Sequence, residues 1–202
     1  MKNAKLKTKN WTRSGCGVLF SFFLFPFALV CGLFFRVVPV AGGEVTMTEY
    51  QVKALFLLNF TKYVDWPAAA FDGTNAPIVI GVCGEDEFGG ALTNAVAGKT
   101  ISGRQIVVQP VGKDADPGKC QMLFISDSEK DRLGEILNKV KALPVLTVGE
   151  TDQFVERGGM INFVIKEGRV RLEINLDAAR RANLEISSKL LGVADVVKGR
   201  AK

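Results

Sequence analysis

From residue 47 onward the chain switches between two hydrophobic rhythms, and each rhythm implies a type of element. In "MTEYQVKALFLLNFTKYVDW", Tyr50, Val52, Leu55, Phe56, Asn59, Phe60 and Tyr63 recur at spacings of two to four. This predicts a helix with a broad apolar face, N-capped by Thr48. It should stop at Trp66, because Pro67 disfavours helical geometry in the residue before it. "IVIGVCG" (78–84) is short, β-branched and apolar throughout, as a strand buried on both faces must be. "EDEFGGALTNAVAG" after it reads as a helix with acids in its first turn. "RQIVVQPVG" (104–112) and "CQMLFIS" (120–126) are further strands. "DSEKDRLGEILNKVKA" offers Asp127 or Ser128 as a cap and places Leu133, Ile136, Leu137 and Val140 on one helical face. "PVLTVGE" (144–150) repeats the strand pattern, and "TDQFVERG" suggests a short helix ended by glycine.

The last stretch changes period. Ile161, Phe163 and Ile165 alternate with polar positions, as do Val170, Leu172 and Ile174, and Lys166, Glu167 and Gly168 lie between the two runs. That is an antiparallel hairpin. One or two helices, "LDAARRAN" and "SSKLLGVADVV", follow it, the second capped by Ser187 or Ser188. Apolar strands alternating with helices predict an α/β three-layer sandwich: a mostly parallel central sheet, helices on both faces, and a C-terminal antiparallel hairpin.

Residues 1–43 follow another logic. Lys2, Lys5, Lys7, Lys9, Arg13 and Arg36 carry six positive charges with no acid, around an uncharged run from Ser14 to Phe35 that is followed by "RVVPVAGG" with its small residues. This is the tripartite pattern of an exported leader, cleaved after Gly42 or Gly43, and it divides the chain into a signal peptide (1–43) and one domain (44–202). An uncleaved anchor is the alternative, since the run approaches the length that spans a bilayer. Removing the leader lowers the basic count from 26 to 20 (26 − 6) against 21 acids. The domain is near neutral, so no nucleic-acid partner is expected.

Two of the four cysteines, Cys83 and Cys120, survive leader removal. In an oxidising compartment one disulfide is available to them, worth roughly 3 to 4 kcal/mol in the chain-entropy account; two free thiols are the other reading.

Histidine is absent from the whole chain. That removes Ser-His-Asp and Cys-His nucleophiles and imidazole-based zinc sites. Glu85, Asp86 and Glu87 cluster too tightly in sequence for a calcium loop, "GKTISG" lacks the full phosphate-loop spacing, and Arg180 and Arg181 read as a solvated helix end. No cofactor and no metal are expected. Ligands of open parallel sheets sit beyond the carboxyl ends of the strands. Three loops there carry Glu85 and Asp86, Ser126 and Ser128, and Glu150, which makes these five residues candidates for a small-molecule site; each loop also reads as an ordinary helix cap.

"VKALFLLNFTKYVDWP", "IVIGVCGEDEFG", "GKTISGRQIVV", "CQMLFISDSE", "PVLTVGETDQF" and "GGMINFVIKEGRVRLEINLDAARRANLEISSKLL" together resemble the YfiR-like family of bacterial periplasmic proteins, from about Val52 to Leu191. The resemblance implies a small exported α/β domain without enzymatic activity that forms homodimers. It also implies a partner: an inner-membrane diguanylate cyclase or related sensor, bound through its periplasmic portion and repressed, which restrains cyclic-di-GMP production and biofilm formation. Cys83 and Cys120 fall at the strand-end positions of one family bridge, while residues 145–157 lack the second cysteine pair of some relatives. A docking repressor needs exposed apolar surface, and Phe154, Leu190, Leu191 and Val193 are the candidate partner-binding residues, although core burial also suits each of them. A periplasmic small-molecule-binding module that reports to a transporter or sensor kinase is the rival function.

Overall fold

The computed structural model describes residues 47–197, so the leader and its cleavage site lie outside the described residues. The helix predicted at the start forms as α1 (Glu49–Tyr63), closed at its N-terminus by a reciprocal Thr48–Gln51 capping box. Its buried stripe is rotated from the predicted face. Lys53, Ala54, Leu57, Leu58, Phe60 and Thr61 point inward, while Leu55 is 42% exposed. Apolar residues surround most of this helix, so spacing alone did not select the inner face.

The chain continues through β1 (Val64–Asp65), β2 (Ile78–Cys83), α2 (Ala91–Val96), β3 (Thr100–Ile101), β4 (Arg104–Val111) and β5 (Met122–Ile125). After these come α3 (Leu133–Val140), β6 (Leu146–Gly149), β7 (Ile161–Lys166), β8 (Arg169–Ile174) and α4 (Leu176–Arg181). The described chain ends with β9 (Glu185–Ile186), α5 (Ser188–Leu191) and β10 (Asp195–Val196). Eight strands form one sheet in the order β10-β8-β7-β6-β5-β2-β4-β3, and β1 pairs with β9 separately. The contiguous strands from β4 to β7 are parallel, and β7 and β8 are antiparallel across six residue pairs. This is the predicted α/β class with its C-terminal hairpin.

Alternating strand residues divide the core in two. Ile80, Val82, Met122, Phe124, Leu146 and Val148 share one cluster with α1, α2 and α4. Cys83, Leu123, Ile125 and Phe154 share the other with α3. Burying both faces explains why these strands are apolar at nearly every position.

Three predicted helices are shorter than their patterns or absent. The stretch after β2 makes turns through Gly89 and Gly90, both at positive φ, before α2 begins. Asp127–Glu129 forms a single 3-10 turn capped by Ser126, and α3 starts only at Leu133. "TDQFVERG" is a run of turns whose fixed point is Phe154. A Cβ added at Gly149 or Gly159 would lie 2.3 or 2.1 Å from that ring, so both glycines are there to admit it. Phe154 is 0% exposed and Leu190 3%. This corrects their assignment as partner-binding residues: they pack in separate clusters on opposite faces of the sheet. Leu191 is half-buried, and Val193 is 62% exposed.

Candidate functional site

The chain runs from β2 to β4 on one side and later returns to β5 on the other. The carboxyl ends of β2 and β5 are therefore the switch point where open sheets bind ligands. Here that point is occupied by the protein itself. Gly84, at φ +95°, brings the Glu85 N–H to 2.9 Å from Ser128 Oγ. The Ser128 hydroxyl donates to Ser126 Oγ at 3.2 Å, and a Cβ on Gly84 would lie 2.5 Å from the Ser128 oxygen. Asp86 accepts from the Phe88 N–H two residues on. Of the five residues assigned to a small-molecule site, Glu85, Ser126 and Ser128 thus knit two loops together, Glu85 through its backbone, while Asp86 braces its own loop. Glu150, the residue after β6, reaches the same β5 loop by accepting from the Asp127 N–H between the two serines.

Glu150 is the centre of a second cluster that joins the first turns of α1 to the ends of β5 and β6. Lys53 Nζ donates to Glu150 Oε2 at 2.6 Å and also meets Glu49 Oε1 at 2.5 Å. The Asp127 N–H and the Tyr50 hydroxyl both donate to the Glu150 carboxylate, at 3.3 Å each in their shorter contacts. The ammonium lies 4.4 Å from the centre of the Tyr50 ring. The Lys53 and Glu150 side chains are only 4% and 7% exposed. Burial first, and then the charges of Glu150, Glu87 and Glu49, raise the Tyr50 phenol well above its usual range, so it remains a donor.

Around this cluster opens a cleft of about 460 Å³, lined by Glu49, Tyr50, Lys53, Asp127, Glu150, Asp152 and the β7 residues Asn162 to Ile165. Asn162 donates through Nδ2 to the Thr151 carbonyl at 3.2 Å, but its Oδ1 has no hydrogen-bond partner among the described residues. Sequence reasoning missed Lys53, Tyr50 and Asn162. The available signal was Lys53 itself: a lysine inside "VKALF", four residues after Glu49, on a helix that must be buried somewhere. Asn175 satisfies backbone groups, accepting from the Ala178 N–H and donating to the Val155 carbonyl.

The expected disulfide is not formed. Cys83 and Cys120 are both free and buried. Each belongs to the α3-side cluster, but the Cys120 sulfur packs over Gly81, where a Cβ would approach it to 2.6 Å, and accepts a long 3.9 Å contact from Gln109. Burial raises the thiol pKa of both. For Cys83 the charge of Glu129 adds to it, and for Cys120 the Gln109 contact partly opposes it. Among the described residues no group of three or more acids and cysteines is placed to hold a metal ion, and no helix is long and apolar enough to cross a membrane.

No curated protein matches the chain. A solved structure described as a conserved domain protein from Vibrio cholerae O1 biovar El Tor is similar at 14% identity, with a TM-score of 0.52. The match covers 75% of this chain and 61% of that one, and it shares the fold. The sequence pattern of the YfiR/HmsC-like family matches residues 50–195, which takes in α1 and the cleft lining except Glu49, and both core clusters. The chain therefore belongs to the YfiR/HmsC-like family.

Proposed function

We propose that the chain is an exported periplasmic regulator whose leader is cleaved after Gly42 or Gly43. In this reading it binds the periplasmic portion of an inner-membrane diguanylate cyclase, or a related signalling receptor, and holds it inactive. The observation that carries the reading is family membership across nearly the whole domain. The physics supports it: a repressor needs only a surface that prefers one state of its target, since differential binding shifts the population without chemistry. The chain has no histidine, and its buried Lys53–Glu150 pair ties α1 to the end of β6. Deleting the gene in the native host should raise cyclic-di-GMP and surface attachment. Unchanged levels in a strain shown to express the partner cyclase would reject this reading.

One observation favours a second reading, a small-molecule-binding module. The Glu150 cleft has the volume of a ligand site and a buried lysine beside aromatic rings. A metabolite panel on purified protein tests it: a thermal shift that Lys53→Met abolishes supports it, and no shift with any metabolite rejects it.

A further inference from the structure

The wall of the Glu150 cleft is an unfinished sheet edge. β7 pairs with β8 along all six residues, from Ile161↔Ile174 to Lys166↔Arg169, but with β6 only at Val148↔Ile161 and Gly149↔Asn162. The hairpin turn fixes where the remaining backbone groups point. Glu167 and Gly168 are the two turn residues, at φ 54° and 68°, as in a type I′ turn. Lys166 and Arg169 are then a hydrogen-bonded pair, and alternation makes Val164 and Asn162 bond to β8 as well. Phe163 and Ile165 point their backbone groups the other way. Gly149 can engage the first of these, but past Asn162 no strand among the described residues lies beside β7 on that side. The Phe163 carbonyl and both backbone groups of Ile165 therefore face the cleft.

The opposite rim is acidic. Asp127 and Asp152 are exposed, and Glu49 is 45% exposed at its side chain even while it contacts Lys53. Lys53 itself is buried and committed to Glu49 and Glu150. The exposed Lys130 contacts Asp127 only loosely, at 3.7 Å. Asn162, which lines the cleft, is 2% exposed, and its buried Oδ1 has no hydrogen-bond partner among the described residues.

We propose that this cleft receives an extended, lysine- or arginine-bearing segment of the regulated partner protein, which pairs as a short strand with the free edge of β7. The inference rests on the regulatory reading above and deepens it by assigning the docking surface. Backbone pairing with Phe163 and Ile165 gives the register, and cationic side chains meet Glu49, Asp127 and Asp152, in the manner of strand addition at an open edge. Such an edge is also a hazard for indiscriminate pairing, and flanking charge is how proteins restrict it.

The test uses the mature chain and a fluorescent alternating peptide of valine with lysine and arginine, alongside an acidic counterpart and a version interrupted by proline. The basic peptide should bind, weaken as salt rises, and lose about tenfold or more in affinity when its strand is broken or its charges are reversed. Ile165→Pro should cause a similar loss while leaving β8 pairing intact, because the N–H it removes faces the cleft; Asp127→Lys with Asp152→Lys should do the same. Unchanged melting temperatures for both variants establish that they fold. Equal binding by wild type and variants, or no binding of the basic peptide by wild type, overturns the proposal. In cells, a wild-type chain that represses the cyclase alongside variants that repress equally well overturns the docking surface and leaves the regulatory reading standing. A wild-type chain that does not repress rejects the regulatory reading. If the variants instead dissociate a dimer without affecting peptide binding or repression, the edge pairs two copies of this chain and the proposal is wrong.

Discussion

Lys53 and Glu150 are 97 residues apart in sequence and 2.6 Å apart in space. Burying both charges is costly unless each is paired and hydrogen-bonded, and here each is. Removing Lys53 leaves Glu150 charged and dry, whereas removing Glu150 still leaves Lys53 paired with Glu49. Lys53→Met should therefore lower unfolding free energy by about 3–5 kcal/mol in urea titration, while Lys53→Met combined with Glu150→Leu should recover most of the loss. If the double substitution were as damaging as the single one, the cost would come from the loop geometry around Asp127 rather than from a stranded charge. The two thiols add a pH dependence. Burial raises both above the 9.0 of a free thiol, so the fold prefers the protonated forms. Their contribution is complete below about pH 9 and is lost as pH rises through the raised folded-state values. The melting temperature should fall on the alkaline side, and Cys83→Ser with Cys120→Ser should flatten that fall. Iodoacetamide at pH 8 should label both thiols far more slowly in the native chain than in urea. Identical rates would contradict their burial.

At the scale of elements, legibility in the sequence followed how local each cause was. β2, β5 and β6 were readable because burial on both faces demands an apolar residue at almost every position. The hairpin was readable because one face of each strand alternates. "TDQFVERG" misled because its glycine and periodicity imitate a helix end, whereas its function is to insert one ring between two strand-end glycines. That packing predicts a specific coupling. Gly159→Ala should destabilise the fold by about 1–3 kcal/mol through overpacking against Phe154. The same Gly159→Ala change in a Phe154→Leu background should cost much less than in wild type, because the smaller side chain vacates the place the new methyl requires. A double-mutant cycle by urea melts measures the coupling. Additive costs would mean that the ring and Gly159 do not compete for space. The site was less legible than the fold. Glu150 was visible as a strand-end acid, but its partners come from a helix nearly a hundred residues earlier, and a sequence read in windows cannot pair them. The unpaired edge of β7 is invisible for a related reason: it depends on β6 ending early beside a neighbour that continues.

For the whole molecule, charge separates the exported form from its precursor. The full chain has 26 basic and 21 acidic residues and an isoelectric point near 9.1. The proposed leader contains six of the bases and none of the acids, which leaves 20 against 21. Cleavage at the proposed site would convert a basic chain into a near-neutral one, and the acids that would remain include the exposed rim of the Glu150 cleft. This matters for function, because a domain with little net charge is steered by local patches rather than by its overall field. The acidic rim would then stand out as a landing place for a cationic segment. Isoelectric focusing of protein recovered from the native periplasm should find a band well below pH 9, and N-terminal sequencing should begin at Gly43 or Glu44. A band near 9 with Met1 retained would show that the leader stays as an anchor. The cleft would then act at the membrane surface, tethered beside its partner, and weak strand pairing at β7 would suffice, because tethering raises the effective concentration of the partner segment.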